Sequence, residues 1–167
     1  MKTVFVVNQR KYPYHEKFLD LFVKNAEKYG DVQIFDMSST QLLHEIYYKI
    51  AASECDLLIS FDCAGFELRT ENDTLSYNKL GCRMAHILFR NMRDYGENLK
   101  QQMNFSMFVF SVIQEDVSKI QKNFSNIPNI EWLEMPRDCQ LLGKVNQEDR
   151  SWVQEWFLHI TEAAELK

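Results

Sequence analysis

The sequence predicts one domain, residues 1–167, of the three-layer α/β class: a doubly wound sheet of five mainly parallel strands with helices on both faces. Three observations support this prediction. Five short runs are rich in β-branched and aromatic residues, and stretches with helical spacing of apolar residues alternate with them. The length of 167 residues suits one sizeable core.

The five predicted strands are nearly continuous apolar runs, which is typical of strands buried on both faces of a parallel sheet. The last run has prolines on both flanks, Pro128 and Pro136, and is therefore predicted as an edge strand. The predicted strands are residues 3–7, 32–35, 56–61, 105–113 and 130–135.

Each strand is followed by a predicted helix. The first helix begins near Pro13 and ends near Gly30, and Ser38 with Gln41 forms a capping box for the second. The last helix, capped by Asn146, has the clearest stripe, and its aromatic residues are expected to face the sheet. Its stripe consists of Trp152, Val153, Trp156, Phe157 and Ile160.

A third helix is predicted between Asn78, which can cap it, and Gly96, which can end it. Its apolar stripe is Leu80, Met84, Ile87, Leu88 and Met92. The resulting order of elements is β-α repeated five times. This order fits both a Rossmann-like and a flavodoxin-like sheet, so strand orders 3-2-1-4-5 and 2-1-3-4-5 both stay open.

Composition and charge disfavour several functions. The net charge is -5, whereas nucleic-acid binding needs clustered Lys and Arg, so no nucleic-acid partner is expected. No apolar run approaches a membrane span or a secretory signal, and a cytoplasmic protein is expected. The four cysteines have no zinc-site spacing. Cys82 and His86 share a face of the predicted third helix but lack further ligands, so no metal is expected.

The candidate site lies at the carboxyl edge of the sheet, because ligands of open α/β sheets bind there, at the switch in strand order. Polar or small residues follow the first and third strands, and the connection after the third strand, residues 66–77, is longer than usual. The role of that long connection stays open. The predicted ligand-binding residues are Asn8, Gln9, Arg10, Asp62, Gly65, Glu67 and Arg69.

Asp62 is the central residue of this prediction. It follows a buried strand and precedes Ala64 and Gly65, which leave space, so its carboxylate is expected in the crevice beside Asn8. There it could accept hydrogen bonds from the hydroxyls of a ligand. It could equally cap a turn by accepting hydrogen bonds from the amides of Ala64 or Gly65.

The sequence contains none of the short motifs that identify a standard cofactor site. GxGxxG, the phosphate-binding loop GxxxxGK[ST] and the nucleophile elbow GxSxG are all absent, so no cofactor is expected. No nucleophile and base stand out as a pair. Whether the protein is an enzyme stays open, and its catalytic residues are unknown.

The order of elements and Asp62 at the end of the third strand resemble response-regulator receiver domains. That resemblance implies a phospho-accepting role for Asp62 and matches Ser111, at the end of the predicted fourth strand, to the family's Ser or Thr. Asn8 and Gln9 stand where receivers carry an acidic pair, and Pro136 lies where they carry a Lys. The resemblance therefore favours an interaction module without catalytic activity.

Residues 55–89 resemble the N-terminal Rossmann-like half of certain bacterial GT-B glycosyltransferase-like proteins. In both, a strand ends in a turn of small residues and is followed by a polar loop and a predicted helix. The resemblance implies a module that binds a polar ligand, a glycan or a nucleotide, at the carboxyl edge. Because GT-B enzymes bind the sugar nucleotide mainly in a second domain, it also implies either a half-enzyme that needs a partner chain or a second copy in a homodimer, or a stand-alone relative that only binds.

Overall fold

A computed structural model shows an α/β fold built on a parallel sheet. The described residues are 3–9, 16–38, 43–52, 54–64, 82–91, 107–124, 127, 129–134 and 147–164.

In the described residues, six strands form one sheet in the order β2-β1-β3-β4-β5-β6, and every neighbouring pair is parallel. Each of the five runs predicted as strands overlaps one of these parallel strands. The strands are β1 (Thr3–Gln9), β2 (Gly30–Asp36), β3 (Leu57–Phe61), β4 (Arg83–Leu88), β5 (Met107–Ser111) and β6 (Asn129–Trp132).

Four helices are present in the described part of the chain, and two buried clusters place them on opposite faces of the sheet. In one cluster, apolar residues of the first and last helices pack on β3, β4 and β5. In the other, the two middle helices pack against the alternate residues of the same strands. The helices are α1 (Glu16–Ala26), α2 (Leu43–Ala52), α3 (Gln114–Asn123) and α4 (Gln147–Ala163).

The last helix packs as its apolar spacing predicts. Trp152, Trp156 and Phe157 are all buried in the cluster that α4 shares with α1 and the sheet. Both indole N–H groups donate to the carbonyl oxygen of Glu134, each at 3.2 Å. The two rings therefore anchor the chain after β6 as well as filling the core.

The predicted third helix is wrong, because residues 83–88 form the strand β4. All five residues from Met84 to Leu88 are buried, with Met84 and Leu88 in one cluster and Ala85 and Ile87 in the other. A short apolar run of this kind fits either a buried helix or a two-faced strand, and periodicity alone does not separate them. The sheet consequently has six strands where five were expected. The predicted caps Asn78 and Gly96 lie outside the described residues.

This correction also separates Cys82 from His86. Four residues along a helix are neighbours, but four residues along a strand are about 13 Å apart. The two side chains therefore do not form the adjacent pair that a helix would create.

Candidate functional site

The strand order places the switch in connectivity between β1 and β3. The chain goes from β1 outward to β2 on one side, and then returns to β3 on the other side. Asn8 of β1 pairs with Ser60 of β3, so the carboxyl ends of these two strands lie side by side. Ligands of open α/β sheets bind at this place.

A tight turn follows β3 directly. The amide of Ala64 donates to the carbonyl oxygen of Phe61 at 3.0 Å, and the two residues between them, Asp62 and Cys63, have φ angles of 50° and 56°. Positive φ at both central positions is the property of a type I′ turn, which favours Asn or Asp followed by Gly. Asp62 fits its position, whereas Cys63 stands where glycine is preferred. The carboxyl end of the central strand thus stores local backbone strain.

The backbone strain at Cys63 can be measured by comparing the unfolding free energies of two variants at this position. Both Cys63→Gly and Cys63→Ala remove the buried thiol, but only glycine relieves the left-handed backbone. We expect Cys63→Gly to be more stable than Cys63→Ala by about 1 kcal/mol in urea unfolding. The neighbouring change Ala64→Gly is the control. Ala64 is not among the positive-φ residues, so glycine should destabilise there. If Cys63→Gly and Cys63→Ala were equally stable, the backbone at Cys63 would not be strained.

The carboxylate of Asp62 is turned toward the end of β4. The residue is 5% exposed, and its Oδ1 accepts hydrogen bonds from the amide of Phe89 at 2.8 Å and from the amide of Arg90 at 3.4 Å. Its Oδ2 lies 3.7 Å from Nε of Arg90. Asp62 thus holds both the backbone and the side chain of the residues that follow β4.

This placement corrects the expected direction of the Asp62 side chain. β3 lies between β1 and β4, so a carboxylate bonded to residues 89 and 90 points away from Asn8 rather than into the crevice beside it. The carboxylate does form a structural cap, but it caps the end of the neighbouring strand. The amide of Ala64 bonds to Phe61 instead.

Arg90 is the residue at this edge that the sequence analysis missed. Its side chain is 38% exposed although it pairs with a buried carboxylate, so Arg90 is partly open to solvent at the carboxyl edge. A guanidinium has five N–H donors in a fixed fork that matches carboxylate and phosphate groups. The signal in the sequence was an arginine directly after an apolar run, which is visible only once residues 83–88 are taken as a strand.

The other predicted site residues are placed only in part. Asn8 and Gln9 end β1, where their backbones pair with Phe35 and Asp36 of β2. Their positions at the carboxyl edge agree with the sequence analysis. Arg10, Gly65, Glu67 and Arg69 lie outside the described residues, as does the long connection at 66–77.

Ser111 ends β5, not the fourth strand of the sheet. β4 lies between β3 and β5, and the Ser111 hydroxyl accepts a hydrogen bond from the amide of Ile113 at 3.1 Å. The position after the fourth strand, where receivers carry Ser or Thr, is held here by Phe89 and Arg90. Ser111 therefore does not hold the position that the receiver resemblance gave it.

His86, like Asp62, is a buried polar residue. The sequence analysis placed it on the predicted third helix. It occupies the middle of β4, its Cα partners are Ser60 and Val109, and it is 0% exposed. Burial lowers the pKa of His86 to about 3, because the interior disfavours the charged imidazolium. At neutral pH the ring is therefore neutral.

A groove of about 290 Å³ lies elsewhere, on the surface of α1 and α4, and none of the predicted site residues lines it. It is lined by Leu21, Lys24, Asn25, Lys28, Arg150 and Gln154.

The described residues contain no group of three or more His, Cys, Asp or Glu that could hold a metal ion. Among the same residues, no helix has the length and apolar character needed to cross a membrane.

No family model matches the chain, and no curated protein matches it. Among solved structures, it is similar to the ligand-free, open structure of CD0873, a substrate binding protein with adhesive properties from Clostridium difficile. The similarity covers 75% of this chain and 44% of that one, with 14% sequence identity and a TM-score of 0.42. This chain thus spans less than half of that structure's length. At such a TM-score the likeness carries no conclusion about the ligand or the activity of this chain.

Proposed function

We propose that this chain is a glycosyltransferase-like Rossmann module that binds a polar ligand at the carboxyl edge of its sheet. The observation that carries the proposal is the Asp62–Arg90 pair. A strained turn at the end of the central strand positions a buried carboxylate, and that carboxylate holds a partly exposed arginine at the edge where such folds bind ligands.

The chemistry of Arg90 favours a ligand with an anionic group. Arginine binds phosphate in a bidentate manner, and a partner carboxylate restricts the rotamers that the free side chain would otherwise sample. Of the two ligand classes that the sequence suggests, a nucleotide or sugar nucleotide offers a phosphate and a neutral glycan does not. We therefore propose a nucleotide or sugar nucleotide, rather than a neutral glycan, as the ligand.

Asp62 acts in this proposal as a positioning residue and does not touch the ligand. Its oxygens are directed at Phe89 and Arg90, and only 2% of its side chain is exposed. If the resemblance to a GT-B half extends to assembly, a partner chain or a second copy would complete the ligand site.

Thermal unfolding of the full chain with uridine diphosphate, adenosine diphosphate, their hexose conjugates and a neutral oligosaccharide tests the proposal. A ligand that binds only the folded state stabilises that state by mass action and so raises Tm. At a ligand concentration of 100 times its Kd, the stabilisation is about 2.7 kcal/mol. We expect at least one phosphate-bearing ligand to raise Tm, and Arg90→Ala to remove that rise. Asp62→Asn should weaken binding about tenfold, because the neutral amide holds the Arg90 guanidinium less firmly than the carboxylate does.

Arg83→Ala is the matched control, because Arg83 begins the same strand at the opposite edge of the sheet. It should leave the ligand-induced rise in Tm unchanged. A rise that persists in Arg90→Ala would remove Arg90 from the site. If no ligand raises Tm at millimolar concentration, the receiver-like alternative, an interaction module without catalytic activity, is favoured instead.

A further inference from the structure

Two cysteines lie together at the amino edge of the sheet, opposite the candidate ligand site. Cys55 precedes β3 and Cys82 directly precedes β4, and these two strands are neighbours. Both side chains belong to the same cluster between the sheet and the middle helices, and both are reduced thiols. They are 27 positions apart in the sequence, so the sheet brings them together.

The geometry of the strands places the pair within reach of a disulfide. Leu57 of β3 and Arg83 of β4 are Cα partners. Cys55 lies two residues before Leu57 and Cys82 lies one residue before Arg83, so the two cysteines are offset by one position along neighbouring strands. Adjacent strands lie about 4.8 Å apart, and disulfides join Cα atoms about 4.4–6.8 Å apart. The left-handed residue Glu54, with φ 49°, bends the chain before Cys55.

The two thiols differ in a way that assigns each a role. Cys82 is half-buried and Cys55 is buried, so a reagent from solvent reaches Cys82 first. A hydrogen bond from the Cys55 thiol lowers the pKa of Cys82, together with a backbone hydrogen bond, and outweighs the opposing effect of burial. A lowered pKa increases the fraction of nucleophilic thiolate.

We propose that Cys82 and Cys55 form a reversible dithiol–disulfide pair that responds to peroxides, with Cys82 as the attacking thiol and Cys55 as the resolving thiol. The disulfide would join the amino ends of β3 and β4. It would thereby close a loop that contains Asp62 and the long connection at 66–77. This inference does not depend on the proposed ligand.

The chemistry balances with hydrogen peroxide as the oxidant. The Cys82 thiolate attacks one peroxide oxygen, the O–O bond breaks, and hydroxide leaves and takes up a proton to become water, which leaves a sulfenic acid on Cys82. The Cys55 sulfur then attacks the Cys82 sulfur. The S–O bond breaks as the S–S bond forms, and hydroxide leaves with the Cys55 proton as a second water. Each sulfur loses one electron, and the two peroxide oxygens gain them.

Treating the folded full chain with hydrogen peroxide tests the pair, followed by peptide mass spectrometry without reduction. We expect a Cys55–Cys82 cross-link as the main disulfide product, and its loss after incubation with a thiol reductant. In Cys55→Ser, dimedone should trap a sulfenic acid on Cys82, whereas Cys82→Ser should form neither product. Cys63→Ser is the matched control and should form the same cross-link as the wild type.

Two results would overturn the proposal. One is a folded wild-type protein that forms no Cys55–Cys82 cross-link, or forms it no more often than cross-links to Cys63 or Cys139. The other concerns the hydrogen bond, read from the pH dependence of alkylation at Cys82. The midpoint of alkylation at Cys82 should rise in Cys55→Ala, which removes the donor, and should stay the same in Cys63→Ala. An unchanged midpoint in Cys55→Ala would remove the activating role of Cys55. Because the cross-link is measured on the wild type, poor folding of a variant does not affect it.

Discussion

Trp156→Ala is expected to lower the free energy of unfolding by about 3–5 kcal/mol, the usual cost of truncating a large aromatic residue in a core. Trp156 is 5% exposed, and its ring centroid lies 4.6 Å from that of Trp152 and 5.4 Å from that of Phe18. Truncation leaves a cavity between α4 and α1 and removes a hydrogen bond to Glu134. This loss is a large part of the ~5–15 kcal/mol that stabilises an ordinary domain.

Denaturant unfolding followed by circular dichroism measures this loss. Trp156→Phe keeps a ring in the cluster and gives up the N–H donor, so it should cost only about 1–2 kcal/mol. Trp132→Ala is the matched control, since Trp132 is 40% exposed on the edge strand β6, and it should cost clearly less than Trp156→Ala. A loss below about 1 kcal/mol for Trp156→Ala would contradict the packing of α4 on the sheet.

His86 should make the fold sensitive to acid, with an effect of similar size. Its pKa in the folded chain is about 3, against an ordinary value of 6.5. Between these values the unfolded chain binds a proton at this position and the folded chain does not, so stability falls as pH falls. The contribution is fully present above pH 6.5 and decreases by up to about 1.4 kcal/mol per pH unit until about pH 3.

Comparing the wild type with His86→Gln isolates the contribution of His86 to the pH dependence of stability. Gln does not titrate, and the carboxylates titrate in both proteins. Between pH 7.5 and pH 4.5, the wild type should lose about 2–3 kcal/mol more than His86→Gln does. His159→Gln is the control, since His159 is exposed and pairs with Glu131 at 2.7 Å. It should keep the acid sensitivity that His86 provides. Parallel pH profiles of the wild type and His86→Gln would refute the burial of a neutral ring in β4.

Much of the fold could be predicted because its elements have strong local patterns. The unbroken apolar runs of β1 and β3 indicate strands of a parallel sheet, and the spacing of Trp152, Trp156 and Phe157 indicates the buried face of α4. β4 could not be distinguished from a helix in this way. Its residues are buried on both sides, so they have no polar face that would reveal the period.

The candidate site was also predicted only in part. The rule that ligands bind at the carboxyl edge selected Asp62 without any motif, and Asp62 does lie at that edge in the strained turn after β3. Its partner Arg90 was not predicted, because Asp62 and Arg90 meet only when β4 lies beside β3. A sequence gives the position of a residue along one strand, whereas its neighbours across the sheet depend on strand order.

The sequence alone determined the α/β class, the parallel character of the strands, the buried face of the last helix and the edge of the sheet that carries Asp62. These features depend on residues close together in the chain, where backbone geometry and burial set the pattern. Only the tertiary structure decided the strand order, the direction of the Asp62 carboxylate and the contact between Cys55 and Cys82. Each of these depends on which strands become neighbours, because hydrogen bonds and thiol contacts act only over a few ångströms between residues far apart in the sequence.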